Sequence, residues 1–217
     1  SEMCIRDRFK AVGYPEDVGE FYRLEEYEGY AWTAHGRYPT NTPGWWGGAH
    51  PFSILDYSVV HNGEISSYDA NRRFIEMYGY NCSLLTDTEV ITYIIDFLVR
   101  RKGLTLEEAA GVIAAPFWST IEQMPEAQRE RLAYLRETFA SLLITGPFSI
   151  LLGFTGGMMA LNDRLKLRSM VCAEKGEAVY FASEECAIRV MEPDVETLWA
   201  PRGGQAVVVR LNDGVTV

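Results

Sequence analysis

One stretch constrains this chain more than any other: residues 138–162 carry no charged side chain, and a bilayer is crossed by about 20 apolar residues. Its interior argues against a helix. Gly146-Pro147 interrupts the middle, and Thr155-Gly156-Gly157 separates two short apolar runs as a turn separates hairpin strands. The stretch therefore reads as buried strands over 148–154 and 158–161, with no membrane span. Strands buried in this way need a core, and 217 residues with 47% hydrophobic side chains are enough to build one.

Further strands are predicted over 29–37, 57–60, 169–173, 178–182 and 205–211, with a short helix after Ser183. A loop over 40–48, holding the pair Trp45-Trp46, lies between the first two. Helices are expected over 66–77, capped by Ser66 or Ser67, and from Thr86 to Gly103, opened by the capping-box spacing of Thr86 and Glu89. A second box, Thr105 with Glu108, opens a helix to about Ala115. Pro125 and the spacing of Leu132, Leu135, Phe139, Leu142 and Leu143 predict a long helix to Ile144. No repeat or linker divides the chain, so a single α+β domain with helix-covered sheets is expected.

Acidic residues outnumber lysine and arginine by 30 to 20, a formal charge of −10. That sign, without any basic stripe, argues against nucleic acid and membrane surfaces as partners. Cys4, Cys82, Cys172 and Cys186 are widely spaced and form no C-x-x-C pair, which suits a reducing, cytoplasmic setting. The last three are read as small buried hydrophobes. His35, His50 and His61 match no zinc spacing, so no metal site is expected.

Three features could carry chemistry. In His61-Asn62-Gly63, a side-chain amide beside a backbone N–H can aim two donors at one point, as an oxyanion requires; a plain Asn-Gly turn is the other reading. Arg37 offers a planar fork for a carboxylate, or a surface ion pair. Asp87 could accept an ammonium group, or merely favour a helix start.

His-Gly-Arg-Tyr-Pro-Thr (35–40), Ala-His-Pro-Phe (49–52), Val-Val-His-Asn-Gly-Glu-Ile (59–65) and Leu-Thr-Asp-Thr-Glu-Val (85–90) occur in that order. The series resembles the class II glutamine amidotransferases. Segments 13–18, 41–48 and 166–168 look most like the amidotransferase domain of archaeal-type glutamate synthase. The resemblance implies the Ntn-hydrolase fold, a four-layer αββα sandwich, over residues 9–217. It implies hydrolysis of the L-glutamine side-chain amide to glutamate, with ammonia passed to a synthase domain or subunit. FMN and iron–sulfur centres would belong to that partner, and no cofactor to this domain.

By the same resemblance, Arg37 would bind the substrate α-carboxylate, Asp87 its α-ammonium group, and Asn62 with the Gly63 N–H the oxyanion. Tyr38 and Thr40 would belong to a closing loop, with Trp45 and Trp46 as lid residues. The family's nucleophile is an N-terminal cysteine followed by glycine, whose α-amine acts as base. Here Cys4 is followed by Ile5 and lies close before Arg37, a poor match. Residues 1–8 are read as a non-native leader, and the domain as N-terminally truncated and catalytically incomplete. The alternatives are a non-catalytic glutamine-binding or regulatory module, and an amidotransferase domain serving a different synthase.

Overall fold

The computed structural model describes residues 7–38, 44–211 and 214–216. Its elements run α1 (Pro15–Tyr22), β1 (Phe52–Ile54), β2 (Tyr57–Gly63), α2 (Tyr68–Glu76), α3 (Asp87–Asp96), α4 (Leu106–Ile113), α5 (Trp118–Ile121) and α6 (Glu126–Thr138). They continue with β3 (Phe148–Phe154), β4 (Gly157–Asn162), β5 (Val171–Lys175), β6 (Ala178–Ala182), α7 (Glu185–Met191), β7 (Thr197–Trp199), β8 (Val207–Arg210) and β9 (Gly214–Thr216). One sheet has the order β1-β2-β3-β4-β8-β9 and a smaller one β6-β5-β7, all antiparallel.

Side chains alternate across a strand, and the large sheet uses both of its faces. Val59, Phe148, Ile150, Leu152, Met159, Leu161 and Val208 join one core with Ile75 of α2, Val90, Ile91 and Ile94 of α3, and Ala109 and Ile113 of α4. On the opposite face Leu151, Ala160 and Val207 meet Cys172, Phe181 and Trp199 of the small sheet. β3 is therefore covered on both sides, which explains why 148–154 reads as a near-continuous apolar run. With α7 against β6, the layers follow the order helices, sheet, sheet, helix, the α+β sandwich expected.

The capping signals are realised unequally. At α4 the box closes: Thr105 Oγ1 accepts from Glu108 N at 3.1 Å, and Glu108 accepts from Thr105 N at 3.0 Å. At α3 Thr86 Oγ1 accepts from Glu89 N at 3.2 Å, but the Glu89 carboxylate accepts from Ser83 N and Leu84 N instead. At α2 Ser67 occupies the N-cap position without capping. Its hydroxyl donates to Asn71 Oδ1 at 2.7 Å and accepts from Thr145 N at 3.0 Å.

Several expectations are corrected. Residues 29–37 pair with no described strand, so no ladder organises their backbone as β structure; the neighbour of β2 is β1, through a turn at Leu55-Asp56. The long helix stops at Thr138, where Phe139 leaves helical geometry; a 3₁₀ turn at Ala140–Leu142 keeps Leu142 buried and so prolongs the apolar spacing. Pro125 precedes that helix as its N-cap residue. Cys186, read as buried, is exposed, because only Ile188 of α7 turns fully inward.

Ile150 is fully buried at the centre of the large sheet. Ile150→Ala is expected to cost about 2–5 kcal/mol in chemical denaturation. A loss below about 1 kcal/mol would contradict the placement of β3 in the core.

Candidate functional site

Asn62-Gly63 is not a turn. Both residues lie within β2, opposite Ser149 and Phe148 of β3. Gly63 has φ +153°, and a Cβ there would stand 2.1 Å from the carbonyl oxygen of Pro147. Only glycine lets the strands close at this point, and the next amide, Glu64 N, donates to that same carbonyl at 3.0 Å. The Asn62 side chain leaves the sheet on the small-sheet side, where Nδ2 donates to Ser183 Oγ at 3.2 Å.

On the helix side, the first turn of α3 meets the end of β2. Thr88 Oγ1 lies 2.9 Å from His50 Nε2, 3.3 Å from His61 Nδ1 and 3.3 Å from Asp87 Oδ1. A hydroxyl has one proton; given to the Asp87 carboxylate, it requires both imidazoles to donate to Thr88. His50 Nδ1 is then a buried lone pair, and neither it nor the buried His61 Nε2 has a hydrogen-bond partner among the described residues. Asp87 also sits 3.5 Å from His61 Nδ1 and accepts from Ile65 N at 3.4 Å. Burial by itself would raise the Asp87 carboxyl, but the His61 hydrogen bond and charge, with the N–H groups of Ile65 and Thr88, hold it below the usual carboxylate range. It is ionised at neutral pH.

Arg37 approaches from the other side. Its Nη1 donates to Gly48 O at 2.8 Å, anchoring the 3₁₀ turn Trp46–Gly48. The indole of Trp45 lies over Gly47, where a Cβ would meet the ring at 2.4 Å. His35 stacks on His50 with ring centroids 4.2 Å apart, and His50 feels the charges of both Arg37 and Asp87. His35, Arg37, Trp45 and His50 line a cavity of about 560 Å³, together with Tyr30 and Trp32 and the strand residues Ser58, Gly153 and Met158. Asn62, Gly63 and Asp87 are outside that lining.

The structure thus joins His50, His61 and Asp87 through Thr88, with Gly63 two residues along β2 from His61 and the charge of Arg37 acting on His50, while Asn62 faces Ser183. Tyr38 projects into solvent. Thr40 and Cys4 are outside the described residues. Cys82 and Cys172 are buried, and burial pushes their thiols up to about 11 and about 12, away from thiolate character. Thr88 and Ser183 were not singled out for the site: the first is hidden inside a capping signal, the second at a strand end remote in sequence. Among the described residues no group of His, Cys, Asp or Glu is placed to hold a metal ion, and no helix is long and apolar enough to cross a membrane.

Residues 7–217 match the profile of the family described as Glutamine amidotransferases class-II. The chain is 51% identical over 204 residues to an uncharacterized protein of Archaeoglobus fulgidus, covering 94% of this chain and 54% of that protein. It is 30% identical over 187 residues to a putative glutamine amidotransferase of Methanothermobacter thermautotrophicus, covering 84% and 52%. The chain spans about half the length of these two relatives. Among solved structures, the glutamine phosphoribosylpyrophosphate amidotransferase from B. subtilis superposes with a TM-score of 0.57 at 19% identity, covering 84% of this chain and 33% of that one. That likeness places the fold with the Ntn-hydrolase amidotransferases.

Burial, followed by the neighbouring charges of His61 and Arg37, lowers His35 to about 4; burial, followed by His35, His61 and Arg37, lowers His50 to about 2. Both are neutral in the fold and protonate near 6.5 when unfolded. Stability is therefore complete above about pH 6.5 and declines as pH falls toward 4, where His35 begins to protonate in the fold as well. The carboxylates held low, Asp87, Glu107 and Glu108, begin to lose their contributions near pH 4.5, at the acid end of that window. Melting temperature should fall between pH 6.5 and pH 4, with a shallower slope in His50→Gln; equal slopes in the two proteins would contradict this account.

Proposed function

The chain belongs to the class II glutamine amidotransferases, and on that premise we propose that it holds L-glutamine for hydrolysis of the side-chain amide to glutamate and ammonia. The observation that carries the reading is the cluster in which Thr88 meets His50, His61 and the ionised Asp87 on the helix side of the strand that ends in Asn62-Gly63, with the charge of Arg37 acting on His50. Arg37 takes the α-carboxylate through its planar fork, and Asp87 takes the α-ammonium group. Nδ2 of Asn62 and the Gly63 N–H receive the oxygen that becomes anionic when a thiolate attacks the amide carbon. Collapse of that intermediate releases ammonia, and water then frees glutamate from the thioester.

The attacking cysteine is not among the described residues. Cys82 and Cys172 are buried and protonated, and Cys186 lies on α7. With Cys4 a poor match to the family pattern, this chain is proposed to bind glutamine without turning it over. The ammonia acceptor is proposed to be a synthase of the glutamate synthase type, carrying flavin and iron–sulfur centres. Segments 13–18, 41–48 and 166–168 support that reading.

Calorimetric titration should show L-glutamine binding that weakens about 10–100-fold in Arg37→Gln, the worth of a charge-assisted bidentate contact. Arg37→Lys should recover little, because an ammonium cannot supply the fork. Unchanged affinity in Arg37→Gln would remove Arg37 from the site. Ammonia release at the pace of an intact amidotransferase, abolished by Cys4→Ala, would restore Cys4 as nucleophile and overturn the claim of inactivity.

A further inference from the structure

An oxyanion donor must point in one direction before the charge develops, and a carboxamide is poorly suited to do so unaided. Its terminal torsion is broad, and half a turn exchanges the amide nitrogen for an oxygen of nearly the same shape. At Asn62 that half turn would present a lone pair to the developing anion. Something must therefore hold the plane of this group.

We propose that Ser183 is the positioning residue for the Asn62 carboxamide, the contact by which the small sheet orients the oxyanion donor carried on the large one. Ser183 follows β6 directly and precedes Glu184, the N-cap residue of α7. Its Oγ accepts from Asn62 Nδ2 at 3.2 Å across 121 residues of sequence. Nδ2 has two hydrogens, so one is held by Ser183 and the other is left for the substrate oxygen.

The neighbouring hydroxyl does not compete. Ser149, paired with Asn62 on β3, donates its proton to Ser169 O at 3.0 Å. The two hydrogen bonds, Asn62 to Ser183 and Ser149 to Ser169, tie adjacent strands of the large sheet to the chain that builds the small one. The orientation of the donor is thus set by how the two sheets are stacked.

This inference rests on the glutaminase reading, and its test separates the two. With the family's N-terminal cysteine joined ahead of this domain, steady-state ammonia release is compared for the parent protein, Ser183→Ala, Ser183→Thr, Asn62→Ala and the double variant Ser183→Ala/Asn62→Ala. Loss of a whole oxyanion donor lowers kcat about 10²–10³-fold. Misorienting the donor should lower kcat about 10-fold or more in Ser183→Ala, with KM changed less than about twofold. Ser183→Thr, which keeps the hydroxyl, should recover most of the rate, and the double variant should be no slower than Asn62→Ala.

Parental kinetics in Ser183→Ala, or additive losses in the double variant, would overturn the proposal. A second readout needs no turnover: the side-chain amide resonances of Asn62 in 15N-labelled protein, assigned by their loss in Asn62→Ala. They should move in Ser183→Ala and stay near their wild-type positions in Ser183→Thr. A cysteine-bearing parent that releases no ammonia removes the glutaminase reading and with it the catalytic role of Ser183. Unmoved amide resonances in Ser183→Ala remove the contact itself, whatever the activity.

Discussion

The site depends on one buried hydroxyl. Thr88 Oγ1, on the first turn of α3, is within hydrogen-bond reach of His50, His61 and Asp87, which come from a loop, the large sheet and its own helix. Three elements meet at one atom that has a single proton, so the direction of every hydrogen bond around it is fixed once Asp87 is ionised. A buried polar group left unpaired costs about 1–3 kcal/mol, which makes the arrangement cooperative. The helix cannot shift along the sheet without leaving several partners unsatisfied together.

The same constraint explains the electrostatics. Burial and nearby positive charge keep the His35 and His50 imidazoles neutral, while the Asp87 carboxylate stays charged because His61 and the backbone amides of Ile65 and Thr88 stabilise it. The outcome is a fixed negative charge and the fixed cation of Arg37, with neutral, polarisable rings between them. The arrangement is held by rigid elements: Gly63 is locked between strands, and Arg37 is braced on the carbonyl of Gly48.

Much of this was legible in the chain. The two capping signals placed the starts of α3 and α4, since a side-chain acceptor three residues before an orphan N–H is a local matter. The turn at Thr155-Gly156 placed the β3–β4 hairpin for the same reason. Expectations failed where geometry comes from distant residues. Residues 29–37 have strand-like composition, but a strand exists only when another backbone pairs with it. The α6 periodicity ran on past Thr138 because a 3₁₀ turn keeps apolar side chains on the same side as a helix would.

At the site, the sequence by itself determined which chemical groups are available: a guanidinium, a carboxylate at a helix start, an amide followed by a glycine, and three histidines in one stretch. It also determined the order of motifs from which the family is recognised. Only the tertiary structure decided how those groups act. It put Asn62-Gly63 inside a strand instead of a turn, made Thr88 the common partner of His50, His61 and Asp87, and brought Ser183 to Asn62 across the two sheets. The physical reason is that hydrogen-bond direction and burial depend on which strands lie side by side and which faces stack. Those relations join residues far apart in the chain, and no local pattern encodes them.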